Sequence, residues 1–255
     1  MRIGVSTWCL LDRTLGEALE CLSSRVKEVE ILSDASHDLL HAGVDCCSSF
    51  DLRYSVHAPV TDLNIASCRE RVREVSLDIL EEVCERAAVI DASCVVVHPG
   101  FMPWMELRER SLACLHRSLK RLSGVQEEQG IRIAVENMGS WEVCHFRDTS
   151  LLPAIRELGL GFCLDIGHAH INGALEEFLH LAEPDHVHVH DNHGREDDHL
   201  APGEGGIDFN RIAVALPAGV PWIEEVHDLR ACDSGLLHLS RLHSERDRRH
   251  TGRYP

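Results

Sequence analysis

The stretch Gly161-Phe162-Cys163-Leu164-Asp165-Ile166-Gly167-His168 decides how the rest of the chain is read. An apolar run of strand length ends in a carboxylate, and an imidazole follows three residues later. The device recurs at Ser55-Val56-His57, Val95-Val96-Val97-His98, Ile133-Ala134-Val135-Glu136, His186-Val187-His188 and Ile223-Glu224-Glu225. Each is a short apolar or alternating segment whose last residue can bind a cation. A carboxylate taken out of water needs a cation or strong donors beside it. Acids and imidazoles repeated at strand ends therefore predict ligands gathered at one rim of a parallel sheet.

Outward from that stretch, strand-like and helix-like segments alternate along all 255 residues. Further strands are predicted at 3–7, 29–32, 54–57, 94–98, 131–136, 186–190 and 222–226. Thr14 opens a first helix, with Glu17 placed for a capping box, and a short helix is expected near 37–42. Val72, Val75, Leu77, Ile79, Leu80 and Val83 recur at three- and four-residue spacing, which predicts a long amphipathic helix over 67–89. Helices at 106–128 (stopped by Gly130), 153–158, 174–181 and 234–242 complete the alternation. This order predicts an α/β fold of the (β/α)8 TIM-barrel type, with its active site at the carboxyl ends of the strands. An open doubly wound sheet fits less well, because no G-x-G-x-x-G follows the first strand. With no repeat or linker, residues 1–243 read as one barrel domain. Residues 244–255, with Arg246, Arg248, Arg249 and Arg253, read as a solvated polar tail.

Composition narrows the function classes. No run approaches the ~18 apolar residues of a membrane span, and a strand beginning at Arg2 leaves no room for a signal peptide. The eleven cysteines include no C-x-x-C pair, which suits buried reduced thiols in a cytoplasmic protein. A net charge of −17 argues against a nucleic-acid partner, since phosphate contacts need cations. The predicted rim loops carry only Arg13, Arg147, Arg195 and Arg230 against many more acids. A small-molecule substrate fits better, and an oligomer is left open.

Mixed imidazole and carboxylate donors suit a divalent ion, zinc, manganese or iron. The candidate ligands are His57, His98, Glu136, Asp165, His168, His188, Asp197, His199 and Glu225. Trp8, Trp104 and Trp141 fall just beyond strand ends, where their rings can wall a sugar face. Arg195 is one of the rim cations able to hold a phosphate. His190 is taken as a substrate contact, although it points the same way as His186 and His188, so the ligand choice can slip by two. His170 and His193 are read as facing solvent or backing the ligands from behind, and Gly203-Glu204-Gly205-Gly206 as a turn.

These residues carry a resemblance. H-A-P (57–59), H-P-G (98–100), E-N (136–137), D-I-G-H (165–168), H-V-H-D-N (188–192), D-D-H-L-A-P-G-E-G (197–205) and Glu225 look like the motif series of the xylose-isomerase-like barrels. That superfamily includes sugar-phosphate isomerases and epimerases and the endonucleases of the endonuclease IV type. The resemblance implies a central ion held by Glu136, Asp165, His188 and Glu225. In the endonuclease branch His57 and His98 would share a second ion with Glu136, and His168, Asp197 and His199 would hold a third. His188 is preferred to His190 because Asp191 then follows three residues later. The expected activity is isomerisation or epimerisation of a small sugar or sugar phosphate, an ion stabilising an enediolate while Glu136 and Glu225 pass a proton. The alternatives are a phosphodiesterase using up to three ions and a non-catalytic metal-binding barrel.

Overall fold

The computed structural model describes residues 2–139, 141–181 and 183–250. Eight parallel strands close into a barrel in chain order. They are β1 (Arg2–Ser6), β2 (Glu28–Leu32), β3 (Arg53–His57), β4 (Val95–Val97), β5 (Ile133–Glu136), β6 (Gly161–Asp165), β7 (His186–Val189) and β8 (Pro221–Glu224). β1 closes the ring by pairing with β8, Arg2 opposite Pro221 and Val5 opposite Glu224. Around it lie α1 (Leu15–Ser23), α2 (Glu70–Val89), α3 (Arg108–Gln129), α4 (Leu152–Glu157), α5 (Ile166–Ile171), α6 (Leu175–Leu181), α7 (Phe209–Ala215) and α8 (Leu229–His250). This is the TIM barrel that the alternation predicts.

Alternation along each strand sorts residues into an outward and an inward file. The outward file is apolar: Val29, Ile31, Val95, Val97, Ile133, Val135, Leu164, Val187, Val189 and Trp222 are all at 0% exposure. Each such side chain stabilises the fold by ~1.5–3 kcal/mol relative to exposure. The inward file has small apolar residues, Cys94, Val96, Ala134 and Cys163, that form a separate cluster. Next to them it carries Glu30, Ser55, His186 and His188, all buried. Stability therefore comes from the barrel–helix layer, which leaves the inside free to carry charge.

Local chemistry explains where expectation and structure agree or part. Thr14 and Glu17 form the reciprocal capping box that starts α1, and Gly130, with φ +68°, ends α3 in the left-handed conformation that suits glycine. No helix forms over 37–42. Instead short 3-10 turns occupy Ala35–His37 and Asp45–Ser49. Between them Ser33 Oγ accepts from Leu39 N–H at 3.0 Å and Asp38 Oδ1 from Leu40 N–H at 3.0 Å. Polar side chains thus take the donors a helix would need. α7 had no counterpart in the sequence reading; Asp208 caps it by accepting from Arg211 N–H. α8 begins earlier than expected, where Asp228 accepts from Arg230 and Ala231 N–H, and runs to His250, so the tail opens as helix. Residues 251–255, including Arg253, lie outside the described residues. Among the described residues no helix is long and apolar enough to cross a membrane, and all eleven cysteines are free.

One outward residue breaks the apolar file. Glu224 is at 0% exposure, and neither carboxyl oxygen has a hydrogen-bond partner. A methyl group added at Gly235 of α8 would collide with this carboxyl. Burial, with Cys9 and Asp233 nearby, pushes its pKa up to about 9. The folded state thus holds a proton that the unfolded chain releases near the ordinary carboxyl value. Its contribution to stability is full below that value and falls away as pH rises through about 9. Glu224→Gln is expected to raise the melting temperature at pH 8 and to flatten its fall between pH 5 and 9 (thermal unfolding at a series of ~1-unit pH steps).

Candidate metal centre

The inward file delivers four donors to one place. Glu136 ends β5, Asp165 ends β6, His188 lies in β7 and Glu225 follows β8; one ligand atom from each falls within 4.8 Å of the others. Glu136 is the hub. Its Oε2 lies 3.1 Å from His57 Nε2 and 3.2 Å from His98 Nε2. Its Oε1 lies 3.2 Å from His188 Nδ1 and 3.4 Å from His168 Nδ1. Burial alone would drive this carboxyl to hold its proton, but the surrounding imidazoles, His188 foremost, keep it well below the usual carboxylate range. Burial likewise opposes charge on His57, yet contact with Glu136 wins and lifts it to about 9. In His98 burial prevails and the pKa falls.

Backbone carbonyls set the orientation of three imidazoles. Nδ1 of His57 meets the Ala58 carbonyl at 2.8 Å, that of His168 the Asn137 carbonyl at 2.9 Å, and that of His199 the Glu225 carbonyl at 3.0 Å. A carbonyl only accepts, so each Nδ1 carries the hydrogen and each Nε2 faces the site. The short motifs supply the rest. Asn137 donates to the Asp165 carbonyl at 2.9 Å and accepts from Asp165 N–H at 2.8 Å, tying β5 to β6. Asp165 Oδ1 accepts from His168 N–H at 2.6 Å and caps α5, which explains the D-I-G-H spacing.

A third group stands beside the first. Asp197 Oδ2 lies 3.1 Å from His168 Nε2, and Oδ1 3.5 Å from His199 Nε2. His190 also has a ring nitrogen within reach of this group. Its ring, however, is stacked on His199 with centroids 3.8 Å apart and 19° between planes. One ligand atom from each of His168, His190, Asp197 and His199 still falls within 4.8 Å of the others. Gly167 gives His190 its space, because a side chain there would collide with the ring.

The loop carrying Asp197 and His199 is held by Asp191, a residue that the sequence reading used only to set register. Its Oδ2 accepts from Gly203 N–H at 3.0 Å and Gly205 N–H at 2.8 Å, and its Oδ1 from Asn192 N–H at 2.9 Å and Ile207 N–H at 3.1 Å. The glycine cluster is therefore backbone brought close to a buried carboxylate, and a Cβ at Gly205 would strike Asp191. Glu30, which the sequence reading did not single out, is buried inside the barrel with His186, next to His188. The V-E-I alternation at 29–31 was the available signal, since it puts one acid between two outward apolar residues.

The expected substrate contacts separate. Trp8 lies against the site, its ring 4.5 Å from that of His199 and 4.8 Å from that of His227. Trp104 and Trp141 are 67% and 74% exposed, and Arg195 is exposed. Among the described residues none of these three side chains hydrogen-bonds, pairs or stacks with the clustered donors.

The donor set fits a divalent ion. Carboxylates of Glu136, Asp165 and Glu225 share one dry space, and Asp165 Oδ2, Asp197 Oδ1 and both His190 ring nitrogens lack hydrogen-bond partners. Buried polar atoms are rarely left so, and mixed imidazole–carboxylate donors match zinc, manganese or iron.

Comparison with known proteins gives the family. Residues 26–221 match the xylose isomerase-like TIM barrel family, and the chain belongs to it. It is 39% identical over 253 residues to an uncharacterised protein of Methanocaldococcus jannaschii, covering 94% of this chain and 100% of that one. It is 32% identical over 203 residues to a probable endonuclease 4 of Mycobacterium leprae, covering 73% of this chain and 77% of the other. The crystal structure of a D-tagatose 3-epimerase-like protein superposes with a TM-score of 0.89 at 28% identity, covering 98% of this chain and 99% of that chain.

Asp191→Asn can accept through one oxygen only and loses the charge on the rest. Charge-assisted hydrogen bonds are worth ~1.5–3 kcal/mol each, so hydrogen exchange at Gly203, Gly205 and Ile207 is expected to quicken about tenfold or more. Unchanged protection would refute the tether. Metal affinity is expected to rise with pH, because the protons held on His57 and His188 must leave before their ring nitrogens can bind an ion. Competition titrations against a chelator measure this; a flat profile would contradict it.

Proposed function

We propose that the chain is a metal-dependent isomerase or epimerase of a small sugar or sugar phosphate. The observation that carries the reading is the gathering of Glu136, Asp165, His188 and Glu225 at the carboxyl rim of the barrel. The whole-length likeness to a D-tagatose 3-epimerase-like protein supports it. So does the net charge of −17, which disfavours a polyanionic partner.

A divalent ion held by these four residues would supply Lewis acidity toward a carbonyl and the hydroxyl next to it. The protein's own part is to move a proton between two faces of the adjacent carbon. Glu225 is the better base. Its side chain keeps 9% exposure and stands 3.6 Å from His188, whereas Glu136 is fully enclosed by imidazoles that drain its basicity. Glu136 then serves from the opposite side as ligand and proton partner. Trp8 offers a ring against the apolar face of a sugar, and the exposed Trp104, Trp141 and Arg195 are left for a longer or phosphorylated substrate. His190, stacked beside the third group, lines the same side.

A second reading, phosphodiester hydrolysis, is favoured by one observation. The groups His57–His98–Glu136 and His168–Asp197–His199 provide donors for two ions beyond the central one, as an in-line displacement uses.

The two readings part in a single experiment. Incubated in D2O with ketoses and their phosphates, the metal-loaded protein is expected to put deuterium on the carbon next to the carbonyl, seen by NMR. Glu225→Gln should slow exchange by ~10²–10⁴-fold, and Glu136→Gln should abolish it and weaken metal retention. Cleavage of a duplex with an abasic site, without any sugar exchange, would overturn the first reading for the second. Tight metal retention with neither activity would leave a binding barrel.

A further inference from the structure

His188 is held the opposite way round from the other site imidazoles. His57, His168 and His199 each give Nδ1–H to a carbonyl and turn Nε2 to the site. His188 turns Nδ1 to the site, 3.2 Å from Glu136 and 3.6 Å from Glu225, and its Nε2 points down into the barrel. No backbone carbonyl meets it there. It meets Glu30, whose Oε1 lies 2.8 Å away, with both residues at 0% exposure.

Glu30 is itself fixed from three sides. Its Oε2 lies 2.7 Å from His186 Nε2 and accepts from Ser55 Oγ–H at 2.9 Å, while Oε1 is left to His188. Ser55 sits opposite Glu30 in the β2–β3 register, so two neighbouring strands carry the pair. Neither Nε2 nor Glu30 Oε1 makes an in-line hydrogen bond, so the short contacts with Glu30 are what each imidazole has there. A nitrogen lone pair facing a carboxylate at such range is repelled, so the hydrogen of His188 belongs on Nε2.

We infer that Glu30 is a positioning residue for the metal centre: it holds His188 with hydrogen on Nε2, so that the Nδ1 lone pair is presented to the ion. The inference rests on the metal reading above. Carboxylates behind metal-bound imidazoles set ring orientation and raise ligand basicity, and their loss commonly costs about 10–100-fold in metal affinity. In Glu30→Gln one side-chain oxygen must serve two imidazoles and the amide NH2 faces one of them.

The test uses the full chain and zinc alone. Long-range 15N–1H correlation spectra of the zinc-loaded wild type are expected to show His188 with hydrogen on Nε2 and zinc on Nδ1. Glu30→Gln should lose about 10–100-fold in zinc affinity by chelator competition, with its circular dichroism unchanged. Ser55→Ala, which removes only the hydroxyl donor to Glu30, should lose a smaller factor in the same direction and serves if Glu30→Gln does not fold. Zinc on Nε2 of His188, or unchanged affinity in the folded variants, would overturn the inference and leave the metal reading standing. A wild type that binds no zinc, manganese or iron would overturn both.

Discussion

The dry carboxylate of Glu136, ringed by four imidazoles, is the constraint from which the rest of the structure follows. A carboxylate at 0% exposure is tolerated only where positive charge or strong hydrogen-bond donors stand close to it. Here that charge is supplied by protons on His57, His168 and His188, whose pKa values are raised against the pull of burial. A divalent ion would supply it more compactly and release those protons. At such a centre protons and a metal ion would compete for one set of donors.

Holding such a centre requires a scaffold that does not depend on it. The barrel–helix layer is apolar and closed, from Val5 and Ile31 round to Trp222, and the strands pair all the way around. The inward file is then free to hold Glu30, His186 and the small residues of the barrel axis. Loops do the fine placement. Asp191 gathers backbone N–H groups from 192–207 and so fixes the segment bearing Asp197 and His199. Two carboxylates outside the donor set, Asp191 and Glu30, thereby decide where donors point.

Much of this was legible in the chain. The carboxylate or imidazole at or near the end of six strands, the capping box at Thr14, the stop at Gly130 and the D-I-G-H spacing are local patterns with local causes. The segment 37–42 misled because its Ser and Asp neighbours compete for backbone donors at short range. α7, Phe209–Ala215, was missed although its N-cap Asp208 is a local signal. Glu224 adjoins the candidate ligand Glu225, yet strand alternation turns it outward against α8. Trp104 and Trp141 looked equivalent to Trp8, but only Trp8 rests on an imidazole of the site.

Residue order by itself determined the strand–helix alternation, the barrel, and the list of side chains able to bind a cation, because each depends on periodicity and side-chain chemistry within a few residues. Folding decided which of those side chains meet, and which ring nitrogen each imidazole turns inward. His188 and Glu136 are 52 positions apart, and His57 and Glu136 are 79. Their separation in space is set by closure of the barrel. Whether a buried acid faces a ring of possible metal ligands, as Glu136 does, imidazoles deeper in the barrel, as Glu30 does, or an apolar helix, as Glu224 does, depends on neighbours that no local window contains.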